Sequence, residues 1–186
     1  MLLLLSTSRC IAQDSVDVDF TATVRDATCV MSIEPVSNLT VFGSAQSKSY
    51  ELVVPDIGLD KIVHNDPAAE GRFRFVPTHC NATLTEPEMK ITVPGGTWSI
   101  GKYVVSDTSI PGHSVGIGAG FKRPNEADDQ AMDMLSGYWT HWTHWTDDEI
   151  QNGFTMVVFF RDLSNRLNPA QPGIFRAQVI FTFNYK

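Results

Sequence analysis

Gly112-His113-Ser114-Val115-Gly116 has the G-x-S-x-G spacing of a hydrolase nucleophile elbow. Three acids (Asp128, Asp129, Asp133) and two histidines (His141, His144) follow it in the serine–acid–histidine order of that chemistry. The reaction needs the serine on a strained turn between a strand and a helix, with its oxygen open to a base and a substrate. Here Pro111 precedes the motif and Gly116-Ile117-Gly118-Ala119-Gly120 follows it. Three glycines in five residues do not start a helix. The segment reads as a turn entering a strand, and no catalytic residue is assigned. The same glycines lack the spacing, the lysine and the helix of a phosphate loop.

Trp139-Thr140-His141-Trp142-Thr143-His144-Trp145-Thr146 is the other unusual stretch. Two histidines three apart could share a metal, but no third ligand stands at a fixed spacing nearby, so no metal is expected. Two readings of the tryptophans stand. They cover one end of a core from a strand or sheet edge, or Trp139, Trp142 and Trp145 form an exposed platform for a sugar or a partner. Asp147-Asp148-Glu149 reads as a solvated turn rather than a cation site. His64, His79 and His113 stand alone as structural or exposed residues. No cofactor is implied.

The elements that carry these residues are strands. The 186 residues suit one domain with a substantial core. Charged residues make up 19% of the chain, and the net charge of −7 with no Lys/Arg cluster excludes a nucleic-acid partner. No apolar run approaches the ~20 residues of a membrane-spanning helix. Asp14 to Val24 alternates, with Val16, Val18, Phe20, Ala22 and Val24 on one face. Residues 28–33 are expected to continue that strand past a kink at Arg25-Asp26-Ala27. Further strands are expected at 38–42, 72–80, 89–93, 102–106, 114–121 and 154–160. Residues 44–70 read as polar and turn-rich apart from Leu52-Val53-Val54, and 127–135 has room for one helical turn. The chain closes on Ile174 to Tyr185, with Phe175, Ala177, Val179, Phe181, Phe183 and Tyr185 on one face. About eight short strands and no long helix argue for an all-β antiparallel sandwich.

Residues 1–12 read as a truncated signal peptide, with Leu2 to Leu5 as its apolar part and Ala12 as its cleavage position. Cys10 would leave with it. Cys29 and Cys80 then remain, paired in an exported protein or free and buried in a cytosolic one.

Both ends of the chain alternate strongly. A terminal strand with a large aromatic face needs a neighbour. If the sandwich has a gap there, the face forms a groove that an extended strand can fill by β-augmentation. A donor strand at one end and a groove at the other make a head-to-tail contact that propagates into filaments.

Four features carry a family resemblance. They are Val16-x-Val18-x-Phe20 leading to Cys29, Leu39-x-Val41-Phe42-Gly43, Phe73-x-Phe75-Val76 leading to Cys80, and Gly173-x-Phe175-x-Ala177-x-Val179-x-Phe181-x-Phe183-x-Tyr185. On these the chain resembles the pilins of chaperone–usher fimbriae, nearest to the minor subunits of type 1-like fimbriae. The resemblance implies an incomplete immunoglobulin-like sandwich completed by a donor strand from another chain. It implies a donor extension at 13–24, with Val16, Val18, Phe20 and Ala22 as plugging residues, and a pilin domain at 25–186. Gly173, Phe175, Ala177, Val179, Phe181, Phe183 and Tyr185 would line the acceptor groove, with the Lys186 carboxylate held by basic residues of a chaperone. The implied partners are a periplasmic chaperone, an outer-membrane usher and neighbouring subunits, and the implied destination is a fimbrium on the cell surface. Ala22 stands near where the family usually has glycine, and the Trp/His stretch has no family counterpart. The alternative is a single-domain adhesin that binds a host glycan or receptor through Trp139, Trp142 and Trp145.

Overall fold

The computed structural model describes residues 15–25, 29–78, 86–95, 97–134, 142–165 and 169–184. Among them, twelve strands form two six-stranded sheets packed face to face. The first sheet runs in the order β10 (Thr143–His144), β6 (Glu88–Thr92), β12 (Gly173–Asn184), β1 (Ser15–Arg25), β4 (Ser49–Gly58) and β3 (Thr40–Ser44). The second runs β2 (Val30–Ser37), β5 (Glu70–Thr78), β11 (Phe154–Asp162), β9 (Ile117–Lys122), β8 (Tyr103–Val105) and β7 (Ser99–Ile100). Every pairing is antiparallel except that of β1 with β12, which is parallel. Two short helices, α1 (Leu59–Val63) and α2 (Asp147–Asn152), sit in connections. No helix of the described residues is long and apolar enough to cross a membrane.

The core is aromatic because strand alternation sends one phenylalanine after another to the same side. Phe20 and Phe175 of the first sheet meet Phe121 and Phe160 of the second, with ring centroids 5.3–6.0 Å apart. Phe181 lies 4.8 Å from Phe75 and 5.6 Å from Phe121 in edge-to-face geometry. Such pairs add roughly 0.5–1.5 kcal/mol each beyond the area they bury.

β2 and β4 differ from the sequence expectation. Residues after the kink do not continue β1, because β2 lies in the opposite sheet. The buried set shows why. It falls on even positions in β1 (16, 18, 20, 22) and on odd positions afterwards (Cys29, Met31, Ile33), so no single strand could bury both sets on one face. The stretch 44–70 holds the ten-residue β4, which a bulge conceals in the sequence. Val16 pairs with Ile57 but Val18 with Val54, so β4 carries one extra residue there. Its buried positions therefore run Tyr50, Leu52, Val54 and then Ile57, and the alternation slips by one.

The glycines of β9 serve packing. A Cβ on Gly120 would stand 2.5 Å from the Phe159 ring, and one on Gly118 would stand 2.3 Å from Leu163. Gly120→Val should destabilise the fold by about 1–3 kcal/mol through overpacking. A urea midpoint unchanged from the parent would contradict that role.

The outer face of the second sheet buries charge. Lys122 and Arg161 are each 7% exposed, and both lie over the Phe159 ring with the charged group 4.8 Å from its centroid. Glu70 and Asp128 pair with both of them. The Glu70 contacts are 3.3 Å to Lys122 and 3.2 Å to Arg161, and Asp128 lies 2.8 Å from Lys122. Asp128 opens the single 3-10 turn (Asp128–Gln130) within the segment expected to hold one helical turn.

Candidate functional site: a strand seated in its own groove

β1 lies between β12 and β4, hydrogen-bonded along both edges. Its parallel register sets Val16 against Gly173, Val18 against Phe175, Phe20 against Ala177 and Ala22 against Val179. All four β1 residues are completely buried. Of the expected groove residues, Phe175, Ala177, Val179, Phe181 and Phe183 are at most 4% exposed and face the same core. Tyr185, Lys186 and Cys80 lie outside the described residues, as does Trp139. Cys29 is buried and disulfide-bonded.

The groove is therefore full, and the strand that fills it belongs to the same chain. Val16, Val18 and Phe20 each contribute roughly 1.5–3 kcal/mol by leaving water. At the head of the groove the backbones crowd together. A Cβ on Gly173 would stand 2.5 Å from the Gly112 carbonyl oxygen, so only glycine allows this approach.

The outward rows of the three strands carry the polar groups. Asp19 and Arg176 are paired in register and form an ion pair, with Arg176 Nε 3.0 Å from Asp19 Oδ2. On the other side Glu51 of β4 is paired with Thr21 and lies diagonal to Asp19 on the outward face. Sharing its proton with Asp19, and then the repulsion of the Asp19 charge, raises the Glu51 carboxyl above its ordinary range. Asp107 and Thr97 complete a polar depression over the β1–β12 seam.

The elbow-like serine is elsewhere and closed. Ser114 is 3% exposed, its N–H donates to the Ile174 carbonyl at 2.9 Å, and its hydroxyl has no hydrogen-bond partner among the described residues. His113 Nδ1 contacts the Ile110 carbonyl at 2.9 Å rather than the serine. A buried hydroxyl without a partner is a net cost, so Ser114→Ala should leave stability unchanged or raise it by about 1 kcal/mol. A clear drop in melting temperature would show an interaction that the geometry lacks.

The tryptophans do not share one exposed surface. Trp145 is 7% exposed and belongs to the core, 5.2 Å from Phe154 and 5.8 Å from Phe183. Trp142 is half-buried under the Lys90 ammonium, 4.6 Å from its ring centroid. Trp98, which sequence reasoning passed over, is the most exposed large apolar residue among the described residues at 70%, with Ile100 beside it at 60%. The signal for it is the Pro94-Gly95-Gly96 breaker just before, which leaves it outside any alternating run.

The acids at 147–149 form the first turn of α2, not a free turn. Thr146 Oγ1 accepts from the Glu149 N–H, and Glu149 Oε2 accepts from the Thr146 N–H at 2.7 Å, a reciprocal cap legible as Thr-x-x-Glu. Burial pushes the Glu149 carboxyl up, but Arg123 at 2.8 Å and the Thr146 N–H outweigh it and hold it below its usual range.

A groove between β12 and β4, filled by the alternating strand β1, is a structural arrangement, and one comparison gives it a context. No family model matches the chain. It is 28% identical over 173 residues to the uncharacterized fimbrial-like protein YadM of Escherichia coli (strain K12). The chain is similar to a fimbrial-like protein. The match covers 92% of this chain and 87% of that protein, so it spans the sandwich rather than a local motif. It supports a fimbrial family and a structural role.

Proposed function

We propose that this chain is a minor or adaptor subunit of a chaperone–usher fimbria that polymerises by donor-strand exchange and serves cell adhesion. The observation that carries the reading is β1 itself. It is an alternating strand at one end of the chain, its apolar face is fully buried, and the groove that receives it is built on the strand at the other end. A strand that fits the groove of its own chain fits the groove of an identical or similar chain. Each subunit that gives its strand away leaves a groove open for the next, which makes the contact head-to-tail and open-ended. In this reading β1 closes the subunit until another strand replaces it. A periplasmic chaperone and an outer-membrane usher hold and pass on the open form, and the subunit ends in a surface fimbrium. The buried, disulfide-bonded Cys29 is assigned Cys80 as its partner, a bridge of the kind expected in an exported domain. Such a bridge stabilises by about 4 kcal/mol in the chain-entropy model. The Trp-based adhesin reading has less support, because Trp145 lies inside the core.

The test is strand capture. The full chain, disulfide intact, is incubated with a fluorescent peptide of residues 15–25, both directly and during refolding from denaturant. Uptake of the peptide with a matching rise in the thermal midpoint supports the reading, since a ligand that binds only the folded form stabilises it. No uptake, even during refolding in a large excess of peptide, would mean that the sandwich is permanently self-closed.

A further inference from the structure

The floor of the groove selects by the size and alternation of apolar side chains, as the fit of Phe20 against Phe175, Phe121 and Phe160 shows. The outward row offers a choice. Arg176 on β12 and Glu51 on β4 stand on opposite sides of β1, and Asp19 of β1 lies between them on the outward face. Asp19 is attracted by the guanidinium at 3.0 Å and repelled by the carboxylate. The other charged group lining the depression around Arg176 is Asp107, a further acid. Arg176 is ion-paired with Asp19 alone among the described residues, and the acids outnumber it on this face.

We infer that Arg176 and Glu51 form a selective rim that reads the outward residue of an incoming strand at the position of Asp19, and that it prefers a side-chain amide there to the carboxylate of the chain's own strand. An amide meets both sides at once. Its oxygen accepts from the Arg176 guanidinium and its NH2 group donates to the Glu51 carboxylate, whereas Asp19 can only accept. The partner class this defines is an extended strand with the apolar pattern of Val16, Val18, Phe20 and Ala22 and with Asn or Gln between its second and third apolar residues. The chain's own strand is then a fitting but replaceable occupant. The inference rests on the strand-exchange reading for its biological meaning, while the rim chemistry can be measured without it.

Two measurements separate the ideas. In the full chain, Asp19→Asn should raise the folded-to-unfolded ratio about threefold, the scale of an exposed pair. The gain should vanish in an E51Q background, and D17N, which removes the same charge from the same outward row, should not reproduce it. A D19N chain that is less stable than the parent, or a D17N gain of equal size, would overturn the inference. In the second measurement, peptides of residues 15–25 with Asp or Asn at position 19 compete for capture by the full chain. About threefold preference for the Asn peptide is expected. Equal or better capture of the Asp peptide overturns the selective rim and leaves strand exchange intact. Capture of neither peptide counts against exchange, and the stability series alone then decides the rim.

Discussion

Replacing Phe20 by alanine should destabilise the closed subunit by about 3–5 kcal/mol, the range for a fully buried phenylalanine. No other β1 residue links the sheets so fully. Its ring lies 5.5 Å from Phe175 on the neighbouring strand and 5.8 and 6.0 Å from Phe121 and Phe160 in the opposite sheet. Truncation removes three aromatic contacts and opens a cavity where the sheets meet. The effect has a second arm under strand exchange. A peptide of residues 15–25 carrying the same change should lose most of its capture by the parent chain, because the same pocket receives it. Urea unfolding of the variant checks the first arm and competition with the parent peptide the second. A Phe20→Ala chain with parent stability would mean that β1 contributes little to the fold, and the groove account would fail with it.

The second large effect belongs to the charged cluster on the far sheet. Asp128→Ala should cost about 2–3 kcal/mol. That is below the 3–5 typical of breaking a fully buried pair, because the Asp128 side chain is 32% exposed and solvent screens part of the loss. Two cations that are each 7% exposed would then share Glu70 alone. The same site sets a pH dependence. Burial pushes the Asp128 carboxyl up, but Arg161 and Lys122 outweigh it and hold it below its ordinary 3.8. A group depressed in the folded state stabilises fully above its unfolded value, and that contribution is lost as the pH falls through the folded one. Stability should therefore drop on acidification below about pH 4, and the D128A chain should show a shallower drop. Urea midpoints between about pH 6 and pH 2 measure both slopes. Parallel slopes for parent and variant would show that the cluster does not respond to acid through Asp128.

The strands at the two ends were legible because alternation with large apolar residues has one physical solution, a half-buried strand. Val16 to Ala22 and Phe175 to Phe183 are buried as that pattern requires. What lies beside a strand is not written in its alternation. The sequence shows that β1 needs a groove, but not that the groove belongs to the same chain or that the two strands run parallel. β4 was illegible because one extra residue opposite Asp17 shifts Ile57 out of phase with Tyr50, Leu52 and Val54. Trp145 could not be told from Trp142 by spacing, since both stand in one polar run, yet only Trp145 reaches Phe154 and Phe183. The Glu70, Lys122, Asp128 and Arg161 cluster joins residues up to 91 positions apart, a distance at which no local pattern carries information.

Under strand exchange, the groove occupied by β1 passes its strand between chains. The most direct measurement is sedimentation of the full chain after unfolding and refolding, disulfide intact, at a series of protein concentrations. With exchange, the protein is monomeric at low concentration, where a chain meets its own strand first. With rising concentration it forms a growing ladder of head-to-tail oligomers, which Phe20→Ala suppresses. A single monomeric species at every concentration would contradict exchange.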